Sequence, residues 1–345
     1  MKTRFQAVLL AAASLLPLAA GAQEKQDLLN LSLGARVDWQ YDRTDGHTND
    51  DNSGFTGKYL MFRADGKIID GLTYSWRQRF NKSILNGNFF DATDWLYLQY
   101  KPGRWGVSAG KEIVAIGGYE YDAYPVDIFN PSVYWWNTPC YSFGVSGKYD
   151  VTKNDMLQLQ VTQSMFHNYP GNNNNTYGYS LYWAGQHGLW KTLWSVNLFE
   201  YNPGRYINYI VLGNEFDFGK LSLRADFFNR AASGQTFFLR DVTVIGELGY
   251  NIDDNWKAHL KYTYDVNKSG TDKDFTVADG TEMNSISGGV EYWPLKKDRW
   301  SLRLHANCGY YWGENSNPAD FMQHNTLFVN VGLTWHMNFL KLKSR

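Results

Sequence analysis

The sequence predicts an all-β fold, a transmembrane antiparallel β-barrel of about 16 strands. Apolar and polar residues alternate with a period of two along most segments, which gives a strand one apolar and one wet face. Short turns alternate with long polar connections along the chain, as a bacterial transmembrane barrel requires. The mean hydropathy is −0.46, yet 17% of the residues are aromatic, and interfacial girdles of Trp and Tyr explain that combination.

The N-terminus predicts a secretory signal peptide. Two basic residues precede an apolar run from Ala7 to Ala20, and the small residues that follow form a cleavage site. We therefore expect residues 1–22 to be a signal peptide and residues 23–345 to form a single barrel domain. No later stretch reaches about 18 consecutive apolar residues, so the sequence predicts no transmembrane helix.

The alternation predicts the strands in order, beginning with a first strand in which Leu31, Leu33 and Ala35 oppose Ser32, Gly34 and Arg36. Turns are predicted where Gly, Pro, Asn and Asp cluster, for example at Asp65-Gly66 and at residues 101–103. The predicted strands cover residues 31–42, 55–64, 72–80, 93–100, 104–111, 141–151, 157–164, 177–186, 190–201, 206–218, 221–230, 242–250, 256–266, 283–293, 300–310 and 325–339.

The last predicted strand has Trp335, Met337 and Phe339 on its apolar face, similar to the C-terminal signal by which outer-membrane barrels are recognised, although six residues follow Phe339. A soluble two-sheet protein would also alternate. It is disfavoured because strand after strand ends in Trp or Tyr, which suits an interfacial belt. Cys140 and Cys308 face opposite sides of the wall by strand parity, so we predict no disulfide.

The stretch from Glu112 to Cys140 departs from this pattern. It is too long for an ordinary connection, and Pro125, Pro131 and Pro139 interrupt any regular element. It is rich in Tyr, Trp, Ile and Val, and a long apolar loop must be buried against something. In a barrel the natural place is the lumen; the alternative is a surface loop packed on itself.

Charged residues suggest how such a lumen would filter solutes. Four arginines are assigned to early strands facing the lumen: Arg36, Arg77, Arg79 and Arg104. The long loop carries four acidic residues and no Lys or Arg: Glu112, Glu120, Asp122 and Asp127. Folded inward, the loop would set an acidic rim beside an arginine wall, and the resulting transverse field would favour polar and zwitterionic solutes. Most other inward charges are expected to pair across strands.

Enzymatic and cofactor chemistry receive little support. Several histidines could act as bases, but none falls in a recognisable hydrolase motif, and no metal-ligand spacing, phosphate loop or nucleophile elbow is present. We therefore predict no catalytic residue, no metal and no cofactor. The formal net charge of −1 gives no reason to expect a nucleic-acid partner.

Specific residues in and after the long loop resemble one family. The run 110–122 (Gly-Lys-Glu-Ile-Val-Ala-Ile-Gly-Gly-Tyr-Glu-Tyr-Asp), Pro125 and the segment Tyr-Ser-Phe-Gly-Val at 141–145 look like the phosphate-selective porins O and P. The resemblance implies a 16-stranded trimeric barrel with its third long loop folded into the lumen as a constriction. Because this loop is acidic, the phosphate preference implied by the family name is not expected to transfer, and anion preference should be weak or absent.

We therefore predict an outer-membrane general diffusion porin that passes small hydrophilic solutes or ions through a barrel constricted by residues 112–140. The expected partners are those solutes, the outer-membrane lipid and two further copies of the chain in a homotrimer. Two alternatives stay open at this point: an outer-membrane barrel hydrolase, and a closed barrel that acts as an adhesin or scaffold.

Overall fold

Sixteen barrel strands and one two-residue strand, His47–Thr48, form one antiparallel sheet in the computed structural model, which describes residues 27–82, 87–235, 238–295, 298 and 301–343. The predicted signal peptide, residues 1–22, lies outside the described residues. The strands are β1 (Leu29–Thr44), β2 (Gly54–Ile69), β3 (Leu72–Arg79), β4 (Thr93–Tyr100), β5 (Trp105–Ile113), β6 (Tyr141–Asp150), β7 (Asp155–Gln163), β8 (Tyr177–His187), β9 (Trp190–Asn202), β10 (Arg205–Asp217), β11 (Leu221–Ala232), β12 (Asp241–Asn251), β13 (Trp256–Asn267), β14 (Glu282–Tyr292), β15 (Leu302–Glu314) and β16 (Thr326–Leu342).

Helical structure is confined to short pieces of the connections. Two α-helical turns, α1 (Tyr119–Asp122) and α2 (Val133–Asn137), lie between β5 and β6. Single 3₁₀ turns occur at Asp50–Asn52, Phe89–Ala92 and Pro125–Asp127. Within the part of the chain that the structure describes, no helix has the length and apolar character needed to cross a membrane.

The first strand closes the sheet into a barrel, because β1 pairs with both β2 and β16. Arg36 lies opposite Tyr59 on one side and opposite Thr334 on the other. Closure removes the exposed edges that an open sheet would present. The fold class and the strand count predicted from the sequence are confirmed.

The barrel is apolar outside and polar inside. On β7, every second residue is an exposed aliphatic, and the residues between are buried and mostly polar. The exposed set is Leu157, Leu159 and Val161, and the buried set is Met156, Gln158 and Gln160. Exposed aliphatic residues that alternate with buried polar ones are the reverse of a soluble protein, and this arrangement suits a wall with lipid outside and water inside.

One predicted turn is wrong. Asp65-Gly66 lies within β2, and the chain turns instead at Asp70-Gly71. Gly71 has a φ of +82°, which a turn can require and glycine readily adopts. Gly66 serves close packing, since a Cβ there would lie 2.6 Å from the Tyr74 hydroxyl oxygen. The last strand also continues past Phe339 to Leu342, which pairs with Leu29.

Candidate functional site

The connection between β5 and β6, residues 114–140, contacts inward-facing side chains on many sides of the barrel. We call it the lumen segment. The wall residues that contact it are Arg36 of β1, Arg63 of β2, Arg77 of β3, Gln160 of β7, Ser195 and Asn197 of β9, Asp226 of β11, Lys261 and Asp265 of β13, and Arg303 of β15. A connection that touches strands around the whole circumference from their inner face runs through the interior.

Two glycines allow the start of the lumen segment to lie directly on the wall. The Gly117 N–H donates to the Ser195 hydroxyl at 2.9 Å, and the Gly118 N–H donates to the Leu193 carbonyl at 2.9 Å. Gly118 has a φ of +92°, and a Cβ there would lie 2.4 Å from the Phe228 ring. Any side chain at position 118 would therefore strain the backbone and clash with the wall.

Wall carboxylates bind the N-termini of both helical turns. The N–H groups of Tyr119 and Glu120, which begin α1, donate to Asp226 at 2.9 and 2.8 Å. The N–H groups of Val133 and Tyr134, which begin α2, donate to Asp265 at 3.0 and 3.2 Å. The first N–H groups of a helix have no partner within it, so these contacts fix the position of the segment while satisfying its backbone. 

Apolar packing completes this docking. We call strands β9 to β15 the late wall. On its inner face Phe199, Tyr209, Val211, Phe228 and Met283 are buried in one cluster with Val114, Ile116, Tyr121, Val133 and Tyr134 of the lumen segment. Residues from three other long connections join the same cluster: Met165, Phe166, Val277 and Met322. Side chains therefore fill the interior between the lumen segment and this part of the late wall.

Two of the predicted acidic residues form ion pairs with the late wall. Glu120 is buried, pairs with Lys261 and accepts from the Ser132 N–H at 2.9 Å. Asp127 pairs with Arg303 at 2.7 Å, and Arg303 also pairs with Glu291 at 2.8 Å. The expected acidic rim is thus largely neutralised by cations from β13 and β15.

Asp122 and Glu112 differ from those two. Asp122 is half-buried and has no ion-pair partner among the described residues; burial raises the pKa of its carboxyl to about 6, against the opposing effect of the Arg224 guanidinium. Glu112 is not a loop residue, because β5 continues to Ile113. Its carboxylate accepts from Ser108 at 2.9 Å and Ser146 at 3.1 Å.

Arg36 points inward as predicted, but it binds the lumen segment. It is 2% exposed and pairs with Asp38 at 2.6 Å. Its Nη1 donates to the carbonyls of Val126 and Ile128 at 3.2 and 2.8 Å. Arg36 therefore holds the lumen segment in position, and Asp38 balances its positive charge.

Arg77 and Arg79 also point inward, and they share one carboxylate. Asp94 lies 2.7 Å from Arg77 and 3.8 Å from Arg79. Arg77 stacks on Trp95, with 3.7 Å between the guanidinium carbon and the ring centroid. Arg79 lies over Tyr59 at 4.2 Å. Two cations and one anion leave a positive surplus on β3.

The prediction for Arg104 is corrected. It lies in the exposed turn before β5, which begins at Trp105, and not on the inner wall. Its guanidinium donates to the carbonyl of Asp150 at 2.9 Å and to that of Val151. Arg104 ties two neighbouring turns together at the end of the barrel.

The sequence did not single out four charged side chains that keep accessible surface in the interior. Lys191, Arg224, Glu247 and Lys257 of the late wall have side chains between 26% and 33% exposed. They alternate in sign across neighbouring strands, with Glu215 2.8 Å from Lys191 and 2.7 Å from Arg224. The alternation along each strand shows that these side chains point inward. It does not show which inward side chains the lumen segment covers.

Across the described ranges, no group of three or more His, Cys, Asp or Glu residues is placed to hold a metal ion. The interior combines a closed barrel, an inserted connection and opposed, paired charges, which is the arrangement of a diffusion pore.

Comparison with known proteins identifies the class of protein. Residues 31–192 match the sequence model described as phosphate-selective porin O and P. This match spans just under half of the chain, and together with the porin fold of the whole barrel it identifies an outer-membrane porin, a channel in the bacterial outer membrane. None of the curated proteins searched matches the sequence.

Solved structures share the fold at low identity. The anion-selective porin from Comamonas acidovorans has 13% identity and a TM-score of 0.64, covering 90% of this chain and 99% of its own. The outer-membrane OmpT of Vibrio cholerae has 13% identity and a TM-score of 0.58, with 93% and 99% covered. The same Vibrio protein in its trimer form has 13% identity and a TM-score of 0.55, with 90% and 100% covered.

Proposed function

We propose that small hydrophilic solutes and ions diffuse passively between the lumen segment and the early wall, which we define as strands β2 to β6. The observation that carries this proposal is that the segment packs more closely on one side of the barrel than on the other. Its apolar side chains are buried against the late wall, whereas Tyr124 and the charged groups around it connect it to β2 and β3. Water and solutes have no route through the packed cluster.

The charges along this route support weak selectivity. On the early side, Arg77 and Arg79 share one aspartate, so a positive surplus remains there. On the other side, Asp122 adds an uncompensated carboxylate, while Glu120 and Asp127 are neutralised by wall cations. Opposed charges across a narrow gap favour polar and zwitterionic solutes without excluding ions of either sign.

The predicted site residues accordingly divide into two roles. Arg36, Glu120 and Asp127 position the lumen segment through buried or partly buried pairs. Arg77, Arg79 and Asp122 set the field across the route. Glu112 lies within the wall of the early side, and Arg104 takes no part in filtering.

We further propose that the protein works as a homotrimer in outer-membrane lipid and performs no catalysis. The trimeric state of the Vibrio protein that shares its fold supports the first point. The exposed aliphatic residues of the outer wall supply the surface that lipid and neighbouring subunits would cover. The second point is supported by the match to a porin family over residues 31–192 and by the absence of a hydrolase motif in the sequence.

Planar-bilayer recording of the purified protein tests this function. We expect ohmic openings in steps of three and a small reversal potential under a salt gradient. A protein that inserts into the bilayer and never conducts would contradict the proposal. Turnover of an ester or peptide substrate by the same preparation, lost on substitution of one lumen residue, would contradict the absence of catalysis.

A further inference from the structure

Tyr124 lies where the lumen segment crosses the interior. At α1 the segment is bound to Asp226 of β11, and two residues after α1 the Tyr124 hydroxyl reaches Arg63 of β2. In the closed order of strands, β2 and β11 are nine strands apart in one direction and seven in the other, so they lie nearly opposite each other. Residues 122–124 therefore bridge the two walls.

The early wall holds the Tyr124 ring between two fixed guanidinium groups. Nη1 of Arg63 donates to the Tyr124 hydroxyl at 3.3 Å, and Arg63 pairs with Asp65 at 2.5 Å. The guanidinium of Arg77 lies 5.5 Å from the Tyr124 ring centroid and is held by Asp94 at 2.7 Å. A cation at this distance attracts the face of an aromatic ring and defines a preferred position for it.

The backbone at Tyr124 is rigid, and its side chain is not enclosed. Pro125 follows, and Tyr124 has the extended conformation expected before proline, with φ −64° and ψ 138°. The Asp127 N–H donates to the Tyr124 carbonyl at 2.8 Å and closes the 3₁₀ turn. The ring is half-buried, whereas Tyr121 and Tyr134 of the same segment are fully buried in the late-wall cluster. Motion at this point is therefore rotation of the side chain.

We infer that Tyr124 is the residue that sets the width and the ion preference of the channel. In the observed position its ring closes the gap between the lumen segment and the early wall. Rotation away from Arg63 opens the gap and exposes the guanidinium groups of Arg63 and Arg77 to the passing solute. Small inorganic anions gain most from the open position, because Arg77 and Arg79 share one aspartate and leave a positive surplus beside the gap. This inference rests on the proposed diffusion function.

Single-channel recording of three variants tests it. Tyr124→Ala removes the ring, and we expect the conductance in potassium chloride to rise roughly twofold and the reversal potential to shift toward chloride. Tyr124→Phe keeps the ring and loses the hydrogen bond, so the main conductance should stay while opening events become more frequent. Tyr250→Phe, on the exposed outer face of β12, is the matched control and should behave as the wild type.

The possible outcomes distinguish the proposed role of Tyr124 from the proposed diffusion function. A conducting wild type whose conductance and reversal potential are unchanged in both Tyr124 variants would overturn the role of Tyr124 and leave the diffusion function standing. A conducting wild type together with a Tyr124→Ala variant of higher conductance and shifted reversal potential would support the role of Tyr124. If no variant conducts, the diffusion function fails and the inference fails with it. Heat-dependent gel mobility checks that each barrel is folded.

Discussion

The early and late walls belong to one barrel and obey the same alternation, yet their inner faces differ. The late wall presents Phe199, Tyr209, Val211, Phe228 and Met283 to the interior, and these side chains are buried under the lumen segment. The early wall presents arginines matched by aspartates and stacked on aromatic rings. Inward apolar side chains therefore mark where a connection is anchored.

This difference explains how a single long connection can narrow a pore without closing it. Apolar burial, two carboxylates on helical N-termini and two ion pairs fix the segment on one side. The other side is contacted through Tyr124, whose ring is half-buried. Loss of late-wall contacts should therefore disturb docking, whereas loss of early-wall charges should change selectivity alone.

The largest effect is expected from Phe228→Ala on the late wall. The Phe228 ring is fully buried, lies against Gly118 and packs on Tyr134 with 4.4 Å between ring centroids. Its removal should cost the docked segment about 3–5 kcal/mol. We expect strong current noise and a lower melting temperature. The matched control is Phe227→Ala, one residue away on the outer face; equal behaviour of the two variants would refute the docking role.

A somewhat smaller effect is expected from Lys261→Met. The substitution leaves the buried Glu120 carboxylate without its cation, which should lower the free energy of unfolding by about 3 kcal/mol. The double variant Lys261→Met with Glu120→Gln removes both charges and should recover most of that loss. Denaturant unfolding of the wild type, the two single variants and the double variant in a double-mutant cycle measures the coupling free energy between the two residues. A coupling near zero would show that the pair contributes nothing.

Early-wall charges should affect selectivity and leave stability nearly unchanged. Arg79→Gln removes one of the two cations that share Asp94, while Arg77 keeps its 2.7 Å contact. We expect the chloride-to-potassium permeability ratio to fall roughly twofold. The control is Lys67→Gln, which removes a cation paired with exposed Asp70 at the end of the barrel. A permeability ratio that moves equally in both variants would argue against a local field.

The smallest expected effect is a pH dependence that comes from Asp122. Burial raises the pKa of its carboxyl to about 6, so the group is charged at pH 7.5 and neutral at pH 4.5. Ionisation adds a negative charge to the route, so cation permeability should fall as the pH drops through 6. Asp122→Asn should remove that part of the dependence. Reversal potentials recorded at the two pH values measure it, and identical titrations of both proteins would exclude Asp122 as the source.

Much of the fold could be predicted from the sequence because period two is a local signal. The strands, their order and the inward direction of Arg36, Arg77 and Arg79 follow from alternation alone. Arg104 was misassigned because a strand boundary is less sharply encoded than a strand interior, and a shift of one residue moved it into a turn.

The site itself depends on contacts that a single sequence does not encode. Glu120 and Lys261 are 141 residues apart, and only the closed barrel brings them together. The arginines proved to be paired and largely covered, and the accessible charges lie on the late wall. On β9 to β14, apolar residues occupy some inward positions where the alternation would place polar ones. These residues could have been recognised in the sequence, and they form the surface where the lumen segment docks.

The most direct test of the account is the single-channel conductance of a variant in which residues 115–139 are replaced by a short Gly-Ser linker. If the lumen segment is the constriction, the conductance should rise several-fold and ion selectivity should weaken, because the wall alone leaves a wide aqueous pore. A folded, inserted variant with the conductance of the wild type would show that the narrowest point lies elsewhere, and it would contradict the account.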